Sequence, residues 1–151
     1  MIHLEKVDEN NFEAVAALKL LEKDERLVAS PLYSLAQAWL YRETEDIRPY
    51  AIMNSQKVVG FALLVFNKAE REIYLWRLMI DREYQNKGNG KAALQELIRL
   101  AEEEPDIDCV RSHHVIGNHR MNGLLKQLGF VSKGLDGKEI KMIRKLKKEK
   151  K

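Results

Sequence analysis

The sequence has a single cysteine, Cys109, and no apolar run approaching the roughly 20 residues that a membrane-crossing helix needs. One thiol excludes an intrachain disulfide and leaves no cysteine pair at zinc-ligating spacing. Internal repeats and low-complexity linkers are absent, so residues 1–146 read as one domain and residues 147–151 as a basic tail. The opening residues, Met1 to Lys6, lack the basic-then-apolar pattern of an export signal. These absences point to a cytoplasmic protein with no metal site and no membrane partner.

The net charge of +3 is unevenly spread. Residues 138–151 hold eight Lys or Arg and two Glu, which leaves 18 basic and 21 acidic side chains in residues 1–137. The body is therefore mildly acidic. A short terminal charge run is most often a solvated end, so nucleic acid is not the expected partner.

What the chain does contain is a strongly patterned alternation of elements. Ile2, Leu4 and Val7 suggest a first strand, and Asn10 with Glu13 reads as a capping box opening a helix that continues through Phe12, Val15 and the following leucines. Ser30-Pro31 has the cap and first-turn proline of a second helix through Trp39 and Leu40. Arg48-Pro49 breaks the chain before a hairpin of strands at residues 50–53 and 58–66. A fourth strand follows from residue 73, then the loop Gln85-Asn86-Lys87-Gly88-Asn89-Gly90, an amphipathic helix over residues 91–103, and a strand over residues 109–116 that a crossover helix makes parallel to its predecessor. Asn118 caps a last helix with Met121, Leu124, Leu125 and Leu128 on one face, Gly129 stops it, and two further strands form a closing hairpin.

The loop carries the clearest chemical signal. A strand feeding a glycine-bearing loop and a helix start leaves several backbone N–H groups unpaired at the positive end of the helix dipole, which suits a phosphate. Gly88 and Gly90 would equally serve a tight strand-to-helix turn that binds nothing. Gly88-Asn89-Gly90 lacks the third glycine of the dinucleotide fingerprint, and Gly90-Lys91-Ala92 lacks the Ser/Thr of the nucleoside triphosphate loop.

Gln85, Gly88 and Gly90 do fit Gln/Arg-x-x-Gly-x-Gly/Ala, and here the chain resembles the acyl-CoA loop of the GNAT family of N-acetyltransferases. Asn118, Leu124, Gly129 and Phe130 resemble a second motif of that family, and the element order resembles its fold over essentially the whole chain. Residues 32–39 and 76–85 look most like bacterial spermine/spermidine acetyltransferases. The resemblance implies an α/β fold: a central mixed, mostly antiparallel sheet of six to seven strands with a parallel pair at its centre, flanked by four helices.

It also implies a reaction, acetyl transfer from acetyl-CoA to a primary amine, most of all a polyamine, with a protein amine or an aminoglycoside as other acceptors. The backbone of Leu78, Met79 and Ile80 would hold the pantetheine arm, the amides of Asn86, Lys87, Gly88, Asn89, Gly90 and Lys91 the diphosphate, Gln85 would shape the loop, and Asn118 would touch the cofactor arm. Ordinary strand core and ordinary helix capping account equally for Leu78 to Ile80 and for Asn118. The family's acid, a tyrosine, is replaced by Leu125, which also permits a sensor that binds acyl-CoA without turnover.

Tyr33, His114 and His119 are candidate replacements for that acid and Glu72, backed by Glu70, the candidate base. Each also reads as a packed or solvated side chain. The acidic clusters Glu22, Asp24, Glu25 and Glu43, Glu45, Asp46 would receive a polycation or remain solvated. The closing hairpin would pair two copies in a homodimer.

Overall fold

A computed structural model describes residues 1–25 and 28–148; residues 149–151 of the basic tail lie outside the described part. The elements are β1 (Ile2–Lys6), α1 (Phe12–Ala16), α2 (Pro31–Leu40), β2 (Asp46–Asn54), β3 (Lys57–Asn67), β4 (Glu72–Ile80), α3 (Asn89–Glu103), β5 (Cys109–Val115), α4 (His119–Gln127), β6 (Val131–Asp136) and β7 (Glu139–Lys145), with 3-10 turns at Glu22–Asp24 and Arg82–Tyr84. Seven strands form one sheet in the order β1-β2-β3-β4-β5-β7-β6. Its pairs are antiparallel except β4 with β5, the expected parallel pair.

Two hydrophobic layers sandwich the sheet. Leu94, Leu97 and Ile98 of α3 and Leu125 of α4 bury against Ile52, Leu64, Ile73, Leu75 and Met142 on one face. Val15 of α1 and the half-buried Leu35 of α2 pack with Ala51, Phe61, Leu63 and Met79 on the other. Each large aliphatic side chain so buried contributes about 1.5–3 kcal/mol. β3, buried on both faces from Val59 to Leu64, is the central covered strand that its apolar run predicts. Among the described residues no helix is long and apolar enough to cross a membrane.

Three local expectations are corrected. Asn10 does not cap α1: Asp8 Oδ1 accepts from the amides of Asn10 and Asn11, while Asn11, 6% exposed, donates Nδ2 to the Lys6 carbonyl and so ties the turn to the end of β1. The first helix is only five residues long. Asp81 Oδ1 accepts from the Lys19 amide at 2.7 Å and the Lys19 carbonyl accepts from the Arg82 amide at 2.7 Å, so the segment after α1 is bonded to the end of β4 instead of to itself. Pro49 lies inside β2 and does not break the chain before it. Its carbonyl accepts from Val7 just past the end of β1, so its missing N–H faces a side where no ladder bond is required.

Candidate active site

The loop between β4 and α3 is built from backbone conformations that expose amides. Asn86 and Gly88 sit at φ +62° and +82°, the left-handed region that asparagine and glycine enter most cheaply. Among the described residues, the amides of Asn86, Lys87, Gly88, Asn89, Gly90 and Lys91 donate to no backbone or side-chain acceptor, and α3 has no side-chain cap. The loop is held instead by side chains: Gln85 Nε2 donates to the Ile80 carbonyl at 3.0 Å, and Asn89 Nδ2 to the Tyr84 carbonyl at 2.9 Å.

These groups line a cavity of about 450 Å³. Gln85, Asn86, Gly88, Asn89, Gly90 and Lys91 form one wall, Leu78, Met79 and Ile80 the floor, and Gly117 to Met121 with Leu124 the opposite wall. Lys87 does not line it; its ammonium lies 5.9 Å from the Tyr84 ring centroid. Unpaired amides, the positive end of α3 and the cations Lys91 and Arg120, the latter 4.0 Å from Asp24, would suit an oxyanion at one end of a cavity whose floor is apolar. That combination fits a diphosphate joined to an uncharged arm.

The parallel ladder between β4 and β5 stops at Leu75 and Ser112, although both strands continue. Leu63 pairs with Arg77 and Leu64 with Leu75, so Trp76 is an extra residue on β4, a bulge that bends the strand. Beyond it the β5-facing backbone edge of β4 has no strand partner. A second cavity of about 240 Å³ occupies the opening, lined from Tyr74 to Leu78 and from Ser112 to Val115 and by Glu139. The two cavities share Val28, Leu78, Asn118 and Met121. Asn118 still caps α4, accepting from the Met121 amide at 3.3 Å, so capping and cavity lining coexist in one side chain.

Of the candidate acids and bases, the structure brings His114 to the opening. It is 4% exposed, lines the second cavity, and neither ring nitrogen has a hydrogen-bond partner among the described residues. Burial lowers its pKa below the ordinary value of 6.5; Asn122 opposes the shift, though without a bond of ordinary geometry. His119 lines the first cavity. Tyr33 is 57% exposed on α2 and lines neither.

Glu72 is not at the site. It begins β4, roughly 20 Å along the strand from Leu78, and its carboxylate accepts from Arg111 Nε at 2.6 Å. Arg111 also meets His113 Nε2 at 2.8 Å, which completes a structural ion pair across the parallel ladder. Glu70 stands in the turn before it. Leu125 is 0% exposed, with its carbonyl accepting from the amides of Leu128 and Phe130, so its place in the helix is explained by packing.

The two acidic clusters are not brought together. Asp24 alone reaches the first cavity, 4.0 Å from Arg120 Nη1. Glu22 and Glu25 line neither cavity, and Glu43, Glu45 and Asp46 line a separate surface notch where Asp46 is paired with Arg48 at 2.8 Å. Sequence reasoning missed Arg77, Tyr74, Met121 and Arg120. The available signal for Arg77 was a lone cation in a strand that is otherwise apolar or aromatic after Glu72.

Solved structures with the same fold include a spermidine N-acetyltransferase from Vibrio cholerae in complex with CoA and spermine, 15% identical with a TM-score of 0.76 over 95% of each chain. A ribosomal L7/L12 alpha-N-protein acetyltransferase in complex with coenzyme A is 15% identical, with a TM-score of 0.73 over 96% of this chain and 94% of that one. An N-acetyltransferase from Thermoplasma acidophilum in complex with coenzyme A is 20% identical, with a TM-score of 0.69 over 96% and 99%. No curated protein matches. The model of the Acetyltransferase (GNAT) family matches residues 6–130. That span runs from the end of β1 through the loop, the parted strands and α4, and the chain belongs to the acetyltransferase (GNAT) family.

Proposed function

We propose that this single domain, residues 1–146, transfers acetyl from acetyl-CoA to a small-molecule primary amine in the opening between β4 and β5. One observation carries the reading: six amides at the start of α3, unclaimed among the described residues, line a cavity that shares Val28, Leu78, Asn118 and Met121 with the opening beside a strand edge with no strand partner. The amides of residues 86–91 would take the diphosphate, the β5-facing edge of Leu78 to Ile80, where Gln85 already holds the Ile80 carbonyl, the pantetheine arm, and Asn118 and Met121 the region of the thioester.

The amine must first lose a proton, since at a pKa near 10.4 only about one molecule in a few thousand is neutral at pH 7. His114, kept neutral by burial, would accept it through a water. The amine nitrogen then bonds to the carbonyl carbon, the C–S bond breaks, and the second amine proton reaches the thiolate. With Leu125 in place of tyrosine the thiolate leaves unassisted, tolerable for a thiol whose pKa is near 8.5 to judge from cysteine. Holding both reactants in the opening supplies most of the rest.

A polyamine acceptor is supported by residues 32–39 and 76–85 and by the likeness to a spermidine enzyme. A protein amine has the support of the alpha-N-protein acetyltransferase fold. Coenzyme A release with acetyl-CoA and a panel of amines tests the reading. Tight CoA binding with no amine-dependent release would instead make the protein a sensor.

Pairing of two copies belongs to the same reading. All six residues of β6 are exposed, Val131 by 57% and Leu135 by 70%, and its outer edge is unpaired. Size-exclusion chromatography of Leu135→Lys against the parent checks this, and an unchanged mass would remove β6 as the contact. The cytoplasm is the expected compartment.

A further inference from the structure

Among the described residues, the second cavity contains a cation that is paired with no carboxylate. Arg77 is half-buried at the bulge of β4, and α2 fixes one end of its guanidinium: Nη1 donates to Ser34 Oγ at 3.1 Å and to Gln37 Oε1. Ser34 is fully buried and its hydroxyl proton is spent on the Ser30 carbonyl at 2.9 Å, so its oxygen acts as acceptor and the anchor is rigid. The Trp76 ring stacks 4.5 Å from the guanidinium carbon, and the Tyr33 ring lies 5.7 Å away.

A guanidinium has five N–H donors. Among the described residues, those of Nε and Nη2 have no acceptor and no carboxylate comes within ion-pair distance of Arg77. Arg48, Arg71, Arg99 and Arg111 by contrast each face a carboxylate at 2.6 to 2.8 Å. Burial pulls the Arg77 pKa below its ordinary value, and only Tyr33 and Tyr74 oppose that. Withdrawing a cation from water without a counter-charge is unfavourable, and a planar fork with free donors matches an oxyanion.

The remaining charge in this cavity is Glu139, which with Arg77 acts on the Tyr74 hydroxyl; His113 and His114 are both held toward the neutral form by burial. A chain of ammonium groups would meet Arg77 as a like charge.

Granting acetyl transfer as proposed above, we infer that the acceptor amine also carries an oxyanion, a carboxylate or a phosphate ester, and that the free side of the Arg77 guanidinium receives it. The acceptor then lies with its anion against α2 and its amine toward the opening.

The test compares wild-type turnover of amino acids, their primary amides, aminoalkyl phosphates, the matching uncharged amines and spermidine. The expected result is a kcat/KM at least tenfold higher for an oxyanion-bearing amine than for its uncharged counterpart, with the carboxylate and phosphate arms separating the two sources. In Arg77→Gln that ratio falls to about one through KM, while CoA affinity by calorimetry is unchanged. Arg77→Lys retains part of the preference.

The wild-type comparison decides even if a variant does not fold. Equal or better turnover of spermidine or uncharged amines overturns this inference and leaves acetyl transfer standing. CoA binding with no amine turned over overturns both.

Discussion

Gln85 and Arg120 are joined across the mouth of the larger cavity, Arg120 Nη1 donating to Gln85 Oε1 at 3.0 Å while Gln85 Nε2 holds the Ile80 carbonyl. One amide thus links the end of β4, the loop and the first turn of α4. Gln85→Ala removes both bonds and frees the loop, with no buried core atom lost. The expected result is an unchanged fold by circular dichroism and CoA affinity weaker by about tenfold, or ~1.4 kcal/mol, by calorimetry.

Glycines in and near the site should answer differently to alanine. A Cβ at Gly88 would meet open space, but φ there is +82°, so Gly88→Ala strains the backbone by about 1–2 kcal/mol and loosens CoA binding. Gly90→Ala meets only Leu124 and Ile80 at 3.6 and 3.8 Å, ordinary contact, and leaves the melting temperature nearly unchanged. At Gly60 a Cβ would sit 2.3 Å from the Met79 carbonyl oxygen, a backbone atom that cannot step aside. Gly60→Ala should destabilise by about 3 kcal/mol or more, since β3 and β4 must separate. Thermal unfolding of the three variants checks the order.

Restoring the family's tyrosine should not restore a catalytic acid. Leu125 is fully buried beneath α4, so Leu125→Tyr must place a larger ring and a hydroxyl in a filled core. The expected cost is about 1–3 kcal/mol with kcat no higher than the parent. A rise in kcat at unchanged stability would show that position 125 reaches the thiolate.

Acid should act through the buried histidines before the carboxylates. His113 and His114 both lie below 6.5, with burial the largest cause in each. The unfolded chain therefore binds more protons than the folded one just below pH 6.5, so stability falls as pH drops through 6.5 and levels off below the folded pKa values. The rate should keep its plateau to below pH 6.5, because the folded His114 is still neutral there. His114→Gln should lower kcat by about a hundredfold and remove the acid limb of kcat against pH. An unaltered profile would exclude His114 as the base.

Much of this protein is legible from local chemistry. Ser30 Oγ caps α2 with Pro31 in the first turn, Asn118 caps α4, and Gly88 takes the left-handed turn before α3, as the residues dictate. The parallel pairing of β4 and β5 also follows, since a strand, a crossover helix and a strand allow little else.

Long-range pairing is not legible in the same way. The leucines after α1 look helical until Asp81, 62 residues on, takes the Lys19 amide. Glu72 looks like a base at a strand start until the parallel register sets Arg111, 39 residues away, against it.

The order of elements, their caps and the amide-bearing loop are thus written in the chain itself, because they depend on energies between residues a few positions apart. Where β4 and β5 part, which carboxylates are already paired, and that Arg77 has none are settled only once the sheet is assembled. Those outcomes depend on strand register and on the bulge at Trp76, which the packing of the whole sheet fixes at once.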